Sequence, residues 1–209
     1  MRPAKILLLG LVLGVATYAN AERPGLGNPQ LHVFVLDDAG ASASLVAGAE
    51  RVATRVFERA GMAMAWINCE APSAATCATE IQPGDLVLRI VPRARVPQPR
   101  IFGISFLAPD GTGSYADVFL DPIRRLQVEA AGVSLVSTLG DVMAHELGHL
   151  LLGTNAHSQQ GIMQAHWQSR QLRDISMGHM LFTTEQAERI RERVAMAHKE
   201  IPALAAASY

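Results

Sequence analysis

The stretch HELGHLLLGTNAHSQQGIM, residues 145–163, decides how the rest of the chain is interpreted. It places His145 and His149 four residues apart, so on a helix both imidazoles lie on one face and reach the same metal ion. Glu146 follows the first histidine and is well placed to act as a general base beside that metal. The neighbouring side chains are mostly apolar. Because buried polar groups need partners, the pattern predicts a buried helix that carries part of a zinc site.

A catalytic zinc site uses three protein ligands and one open position, so a third ligand must follow. Gly153 comes just after the predicted helix, where a glycine lets the chain turn back in a left-handed conformation. His157, four residues later, is within reach of the same metal. The alternative third ligand is a glutamate on a later helix, Glu185 or Glu188, but that choice leaves the glycine and His157 unexplained.

The stretch resembles the motif of the metzincins, a group of zincin peptidases. In that family a helical HExxH is followed by a glycine turn, a third histidine and a methionine beneath the metal. The matching residues are His145, Glu146, His149, Gly153, His157 and Met163. The spacing departs from the family pattern: the glycine and third histidine lie four and eight residues after His149, not three and six. The six-residue position is Asn155, a poor zinc ligand, so the resemblance requires a lengthened turn.

Hydrophobic patterns predict the elements around this motif. Strands are expected at 31–37, 62–69 and 85–92, and a hairpin at 101–110 and 114–121 around the turn GTG. Helices are expected at 42–61, 135–152 and 183–200. The β-α-β start indicates a mixed sheet with a helix on one face. With the resemblance, this predicts an α+β, zincin-like fold: a twisted mixed sheet with an antiparallel edge strand, a backing helix, an active-site helix and a C-terminal helix.

The first 21 residues have the pattern of a secretory signal peptide. Arg2 and Lys5 precede an apolar run at 6–16, and Ala19 and Ala21 fit a cleavage site before Glu22. The alternative is an uncleaved membrane anchor. With cleavage, residues 22–209 form a single metallopeptidase domain that is secreted or periplasmic and free of the membrane.

Export also bears on the two cysteines, Cys69 and Cys77, which lie eight residues apart. An oxidising compartment favours a disulfide between them. A metal site is the alternative, but zinc-binding cysteines usually lie two to four residues apart and need further ligands.

Composition limits the function classes. The chain has 209 residues, of which 49% are hydrophobic and 18% charged, as in a globular domain. A net charge of −1 gives no electrostatic case for nucleic-acid binding.

We therefore expect a secreted zinc metallopeptidase, a monomeric endopeptidase that acts on peptides or proteins. Its Zn²⁺ is expected on the three histidines, and Glu146 is expected to take a proton from water and pass it to the leaving amine. The resemblance also implies that a strand at an open edge pairs with an extended substrate. The residues expected there are Tyr115, Ala116, Asp117 and Val118. A zinc-binding module without activity and a hydrolase of non-peptide amides remain as alternatives.

Overall fold

The computed structural model describes residues 30–69, 77, 81–82, 84–95, 101–130 and 132–206. The predicted signal peptide, residues 1–21, lies outside these ranges. None of the helices in the described ranges is long and apolar enough to cross a membrane.

A five-stranded sheet forms one layer of the domain, in the order β2-β1-β3-β5-β4. The strands are β1 (Gln30–Asp37), β2 (Ala63–Cys69), β3 (Leu86–Val91), β4 (Gly103–Phe106) and β5 (Tyr115–Phe119). All neighbours are parallel except β4, which runs antiparallel to β5 at the edge. The predicted mixed sheet, hairpin and antiparallel edge strand are confirmed.

The order of the last two strands corrects the predicted substrate strand. Tyr115, Ala116, Asp117 and Val118 lie in β5, and each pairs with β3 on one side and β4 on the other. Their backbone groups therefore face partners on both sides, and this strand is not an open edge. The sequence identifies the hairpin but does not determine which of its two strands joins β3.

Five helices lie in the described part of the chain. They are α1 (Ala43–Arg59), α2 (Leu120–Glu129), α3 (Leu135–Leu152), α4 (Ser169–Ser176) and α5 (Thr184–Ala206). The three predicted helices correspond to α1, α3 and α5. The sequence analysis missed α2 and α4 because they bury too few side chains for a recognisable apolar stripe: two residues in α2 and one in α4.

Helix α3 is the centre of the core. Every residue from Thr138 to Leu152 is buried, so the helix is covered on all sides. It packs closely against α1 at Gly140, where a Cβ would come within 2.5 Å of the Ala49 carbonyl oxygen and of Val52. The histidine-bearing helix is therefore held by contacts with both α1 and the sheet.

The predicted disulfide between Cys69 and Cys77 is present, with Cα atoms 5.7 Å apart. It lies in a small apolar cluster with Phe34, separate from the main core around α3. The disulfide therefore braces the end of β2 and has no direct contact with the histidine cluster.

Candidate metal centre

Three histidines converge beside α3. Ring nitrogens of His145, His149 and His157 all lie within 4.8 Å of one another. The Nε2 atoms of His145 and His149 are 3.1 Å apart. The His157 ring centroid is 5.3 Å from that of His145 and 4.9 Å from that of His149. This is the one group of three or more such ligands in the described ranges, and neither Glu185 nor Glu188 belongs to it.

Hydrogen bonds on the far side of two rings show which nitrogens face the centre. His145 Nδ1 is 2.7 Å from the carbonyl oxygen of Ile162, and His149 Nδ1 is 2.8 Å from that of Thr154. A carbonyl oxygen only accepts, so each Nδ1 carries the proton and donates it. In the neutral ring, Nε2 then presents a lone pair. Two lone pairs facing each other at 3.1 Å repel unless a cation lies between them, so the donor set fits a metal ion.

Burial favours the neutral, metal-binding form of these rings. It lowers the pKa of His145 to about 3, with a further contribution from His149. Burial also lowers the pKa of His149 and of the more exposed His157. Metal ligation requires neutral imidazole, so the surroundings prepare all three rings for it.

The lengthened turn after α3 is held at Gly153. This residue adopts a left-handed φ of 65°, and its amide bonds back to the last turn of the helix. A Cβ there would collide with the guanidinium group of Arg193, which itself donates to the carbonyl oxygen of Gly111 at 3.2 Å. Contacts from α5 and from the hairpin therefore fix the point at which the chain turns towards His157.

Met163 packs against α3, the helix that carries His145 and His149. It is 1% exposed, and its Sδ atom would be 2.7 Å from a Cβ placed on Gly148, between the two helix histidines in sequence. The Met163 carbonyl oxygen accepts from the Ser158 amide at 2.8 Å. The stretch 145–163 thus folds back so that Met163, its last residue, packs against Gly148 of α3.

Glu146 lies beside the three histidines and is buried, with only 5% of its surface exposed. Its Oε2 atom accepts from the Ser105 hydroxyl at 2.7 Å. Burial raises the pKa of Glu146 to about 7, and the Ser105 hydrogen bond opposes that rise. A carboxyl group with a pKa near neutrality can both accept and return a proton, as general base catalysis requires.

The sequence analysis missed Gly103 and Ser105, which lie on β4 against Glu146. A Cβ on Gly103 would be 2.5–2.7 Å from the Glu146 side chain, so this position has no room for one. The sequence does contain one indication of this contact: Gly103 lies within a predicted strand, and a glycine there often marks the close approach of another group.

A cleft of about 370 Å³ opens over the three histidines and Glu146. The edge strand β4 forms one wall, and the segment after Met163 forms the other. Phe102 and Trp167 stack across it with centroids 6.2 Å apart, and Trp167 also meets the edge of the His145 ring at 5.9 Å. His166 lines the cleft as well, whereas none of the residues 115–118 does.

The chain is similar to solved structures in its fold. It is similar to the crystal structure of archaemetzincin from Methanopyrus kandleri, with a TM-score of 0.51, 16% identity, and coverage of 80% of this chain and 97% of that one. The chain has an archaemetzincin-like fold. It also matches a zinc-dependent peptidase from Methanocorpusculum labreanum, with a TM-score of 0.49, 17% identity, and coverage of 77% and 99%.

No model of a protein family matches the sequence, and no curated protein does. The support for the expected zincin-like fold comes from structural similarity, at a sequence identity of 16%. What the site does must be argued from its own residues.

Proposed function

We propose that the chain is an exported zinc metallopeptidase that cleaves within peptide chains. The observation that carries the proposal is the convergence of three imidazole nitrogens next to a buried carboxylate, His145, His149 and His157 beside Glu146. Three histidines with an open position are a typical catalytic zinc set. The archaemetzincin-like fold supports this reading.

When bound, zinc supplies Lewis acidity, which polarises a carbonyl group and makes nearby water more acidic. The chain's own groups do the rest. Glu146, held against β4, accepts the proton of the attacking water and passes it to the nitrogen of the leaving amine. The donated hydrogen bonds to Ile162 and Thr154 keep the two helix imidazoles oriented while this happens.

The substrate is proposed to lie along β4 in place of the strand first expected. β4 is the last strand of the sheet, and its residues Gly103 to Ser105 line the cleft. An extended peptide can add to such an edge through backbone hydrogen bonds. Export is proposed from the signal-like residues 1–21, whose pattern also suits a disulfide-containing domain.

The test is Glu146→Gln, which keeps the shape of the side chain and removes the base. We expect one zinc per chain in both proteins, and turnover of quenched fluorogenic peptides at least about a thousandfold lower in the variant. Glu185→Gln, on α5, is the matched control and should change neither quantity. Zinc stoichiometry and peptide cleavage are measured on the same preparations.

Three outcomes separate the alternatives. Activity near the wild-type level in Glu146→Gln would overturn the role of the base. A wild-type protein that binds zinc but cleaves neither peptides nor other amides would be a binding module. Cleavage of small amides without cleavage of peptides would indicate a non-peptide hydrolase.

A further inference from the structure

The side-chain pattern of β4 is the reverse of that expected for an edge strand with one buried face. Its outward positions are apolar: Ile104 is 45% exposed and Phe106 is 47% exposed. Its inward positions are Gly103 and Ser105, although apolar side chains would be expected to fill such a face. The inward face of β4 therefore has no large apolar side chain at the place where it contacts Glu146.

The inward side of β4 fits the Glu146 carboxylate at two points. Gly103 leaves space that a Cβ would occupy, 2.6 Å from Oε1. Ser105 is 6% exposed, and its hydroxyl oxygen is 2.7 Å from Oε2 of Glu146 and 2.8 Å from the backbone oxygen of the same residue. The Ser105 hydroxyl thus contacts both the carboxylate and the backbone carbonyl oxygen of Glu146, which restrains the Glu146 side chain relative to its own backbone.

The Ser105 hydroxyl is not needed for strand pairing. Ser105 pairs with Ala116 of β5 through the backbone, and the neighbouring inward residues of β5 are apolar. An alanine would keep that pairing and remove only the contact with Glu146. A carboxylate that is free to change rotamer spends less time in the productive geometry. The contact with Ser105 should therefore raise kcat.

We propose that Ser105 is a positioning residue for Glu146: its hydroxyl holds Oε2, so that Oε1, above Gly103, faces the cleft and the reacting water. This inference rests on the proposed peptidase function. The interaction belongs to the chain itself and is present before any metal or substrate binds, so its geometric part can be tested without turnover.

The experiment compares Ser105→Ala and Ser105→Thr with Thr138→Val. Thr138 is a matched control because it is buried on α3, the helix that carries Glu146, and its hydroxyl donates to a backbone oxygen, that of Ser134, at 2.9 Å. Crystal structures of the zinc-free proteins locate the Glu146 carboxylate. Zinc affinity is measured by chelator competition, and kcat and KM are measured on a quenched fluorogenic peptide that the wild type cleaves.

In Ser105→Ala we expect the Glu146 carboxylate to leave its wild-type position, and kcat to fall by about tenfold or more. KM and zinc affinity should stay within about twofold. Ser105→Thr, which retains the hydroxyl, should recover most of the kcat. Thr138→Val should lower the unfolding free energy without lowering kcat.

An unmoved carboxylate with an unchanged kcat in Ser105→Ala would overturn the proposal. So would equal losses of kcat in Ser105→Ala and Thr138→Val, which would indicate a general effect on stability. If the zinc-loaded wild type cleaves no peptide, the proposed function fails; the Glu146 position in Ser105→Ala then still decides whether Ser105 holds the carboxylate.

Discussion

At the scale of single residues, His157 reaches the other two histidines across a longer connection than the metzincin spacing. One of the two extra residues precedes Gly153 and the other follows it. The backbone turns through a left-handed conformation at Gly153, and the Thr154 carbonyl oxygen accepts a hydrogen bond from His149. Asn155, at the position where the family has its third histidine, lines the cleft but is not a typical zinc ligand.

His157→Ala should therefore weaken zinc binding by more than about 100-fold, because a third nitrogen ligand is lost. Asn155→Ala, two residues earlier in the same turn, should keep the affinity within a few fold. Chelator competition with a chromophoric indicator measures both. A large loss in Glu185→Ala or Glu188→Ala, with His157→Ala unaffected, would restore the glutamate alternative.

The sequence could predict these histidines because ligand chemistry and helical spacing are local properties. It could not predict Ser105 or Gly103 as neighbours of Glu146. They lie about forty positions earlier in the chain, and their contact with it depends on which strand forms the edge of the sheet.

At the scale of elements, the packing of α3 against α1 buries a carboxyl group that has no role in the proposed chemistry. Asp141 is 2% exposed, and its Oδ2 atom has no hydrogen-bond partner in the described part of the chain. Burial raises the pKa of Asp141 to about 8, with Arg55 of α1 opposing the rise. The interface therefore favours the protonated acid.

This predicts a pH dependence of folding. Between its ordinary pKa of 3.8 and about 8, the folded protein holds a proton on Asp141 that the unfolded chain has lost, so stability falls as the pH rises through this range. Each pKa unit corresponds to about 1.4 kcal/mol. Asp141→Asn cannot titrate, so its unfolding free energy should fall less between pH 5 and pH 8 than that of the wild type.

Urea denaturation of the two zinc-free proteins at pH 5 and pH 8 measures the difference. The raised pKa of Glu146 contributes the same trend to both proteins and cancels in the comparison. Equal changes of unfolding free energy in wild type and variant would contradict the account of this interface.

Element positions followed from the sequence wherever an element carries a long apolar pattern. α1 and α3 have such patterns, and the hairpin has a clear turn at GTG. α2 and α4 do not, and the order of β4 and β5 is set by burial: Ala116 and Val118 of β5 are fully buried, as a central strand requires, whereas β4 has two exposed apolar residues.

At the scale of the whole molecule, the disulfide and the histidine centre are independent parts of the structure. Cys69 and Cys77 belong to a small cluster with Phe34, while the histidines belong to α3 and the turn after it. Closing a loop of this length stabilises a fold by about 2–3 kcal/mol in the chain-entropy model.

The double variant Cys69→Ser, Cys77→Ser should therefore lose about 2–3 kcal/mol of unfolding free energy and keep its zinc affinity. Denaturation and chelator competition on the same samples measure both. Mass spectrometry of the unreduced, alkylated protein from an exporting host should show no free thiol and a chain that begins at Glu22. Two alkylated thiols would contradict the disulfide, and a retained leader would contradict cleavage.

Three histidines of one short stretch, His145, His149 and His157, are proposed to hold one catalytic zinc ion beside Glu146. The most direct measurement is anomalous diffraction at the zinc edge from crystals of zinc-loaded wild-type protein. We predict one strong peak per chain, about 2.0–2.1 Å from a ring nitrogen of each of His145, His149 and His157, with one position open to the cleft. A peak whose third protein ligand is a glutamate, or one with four protein ligands and no open position, would contradict the account.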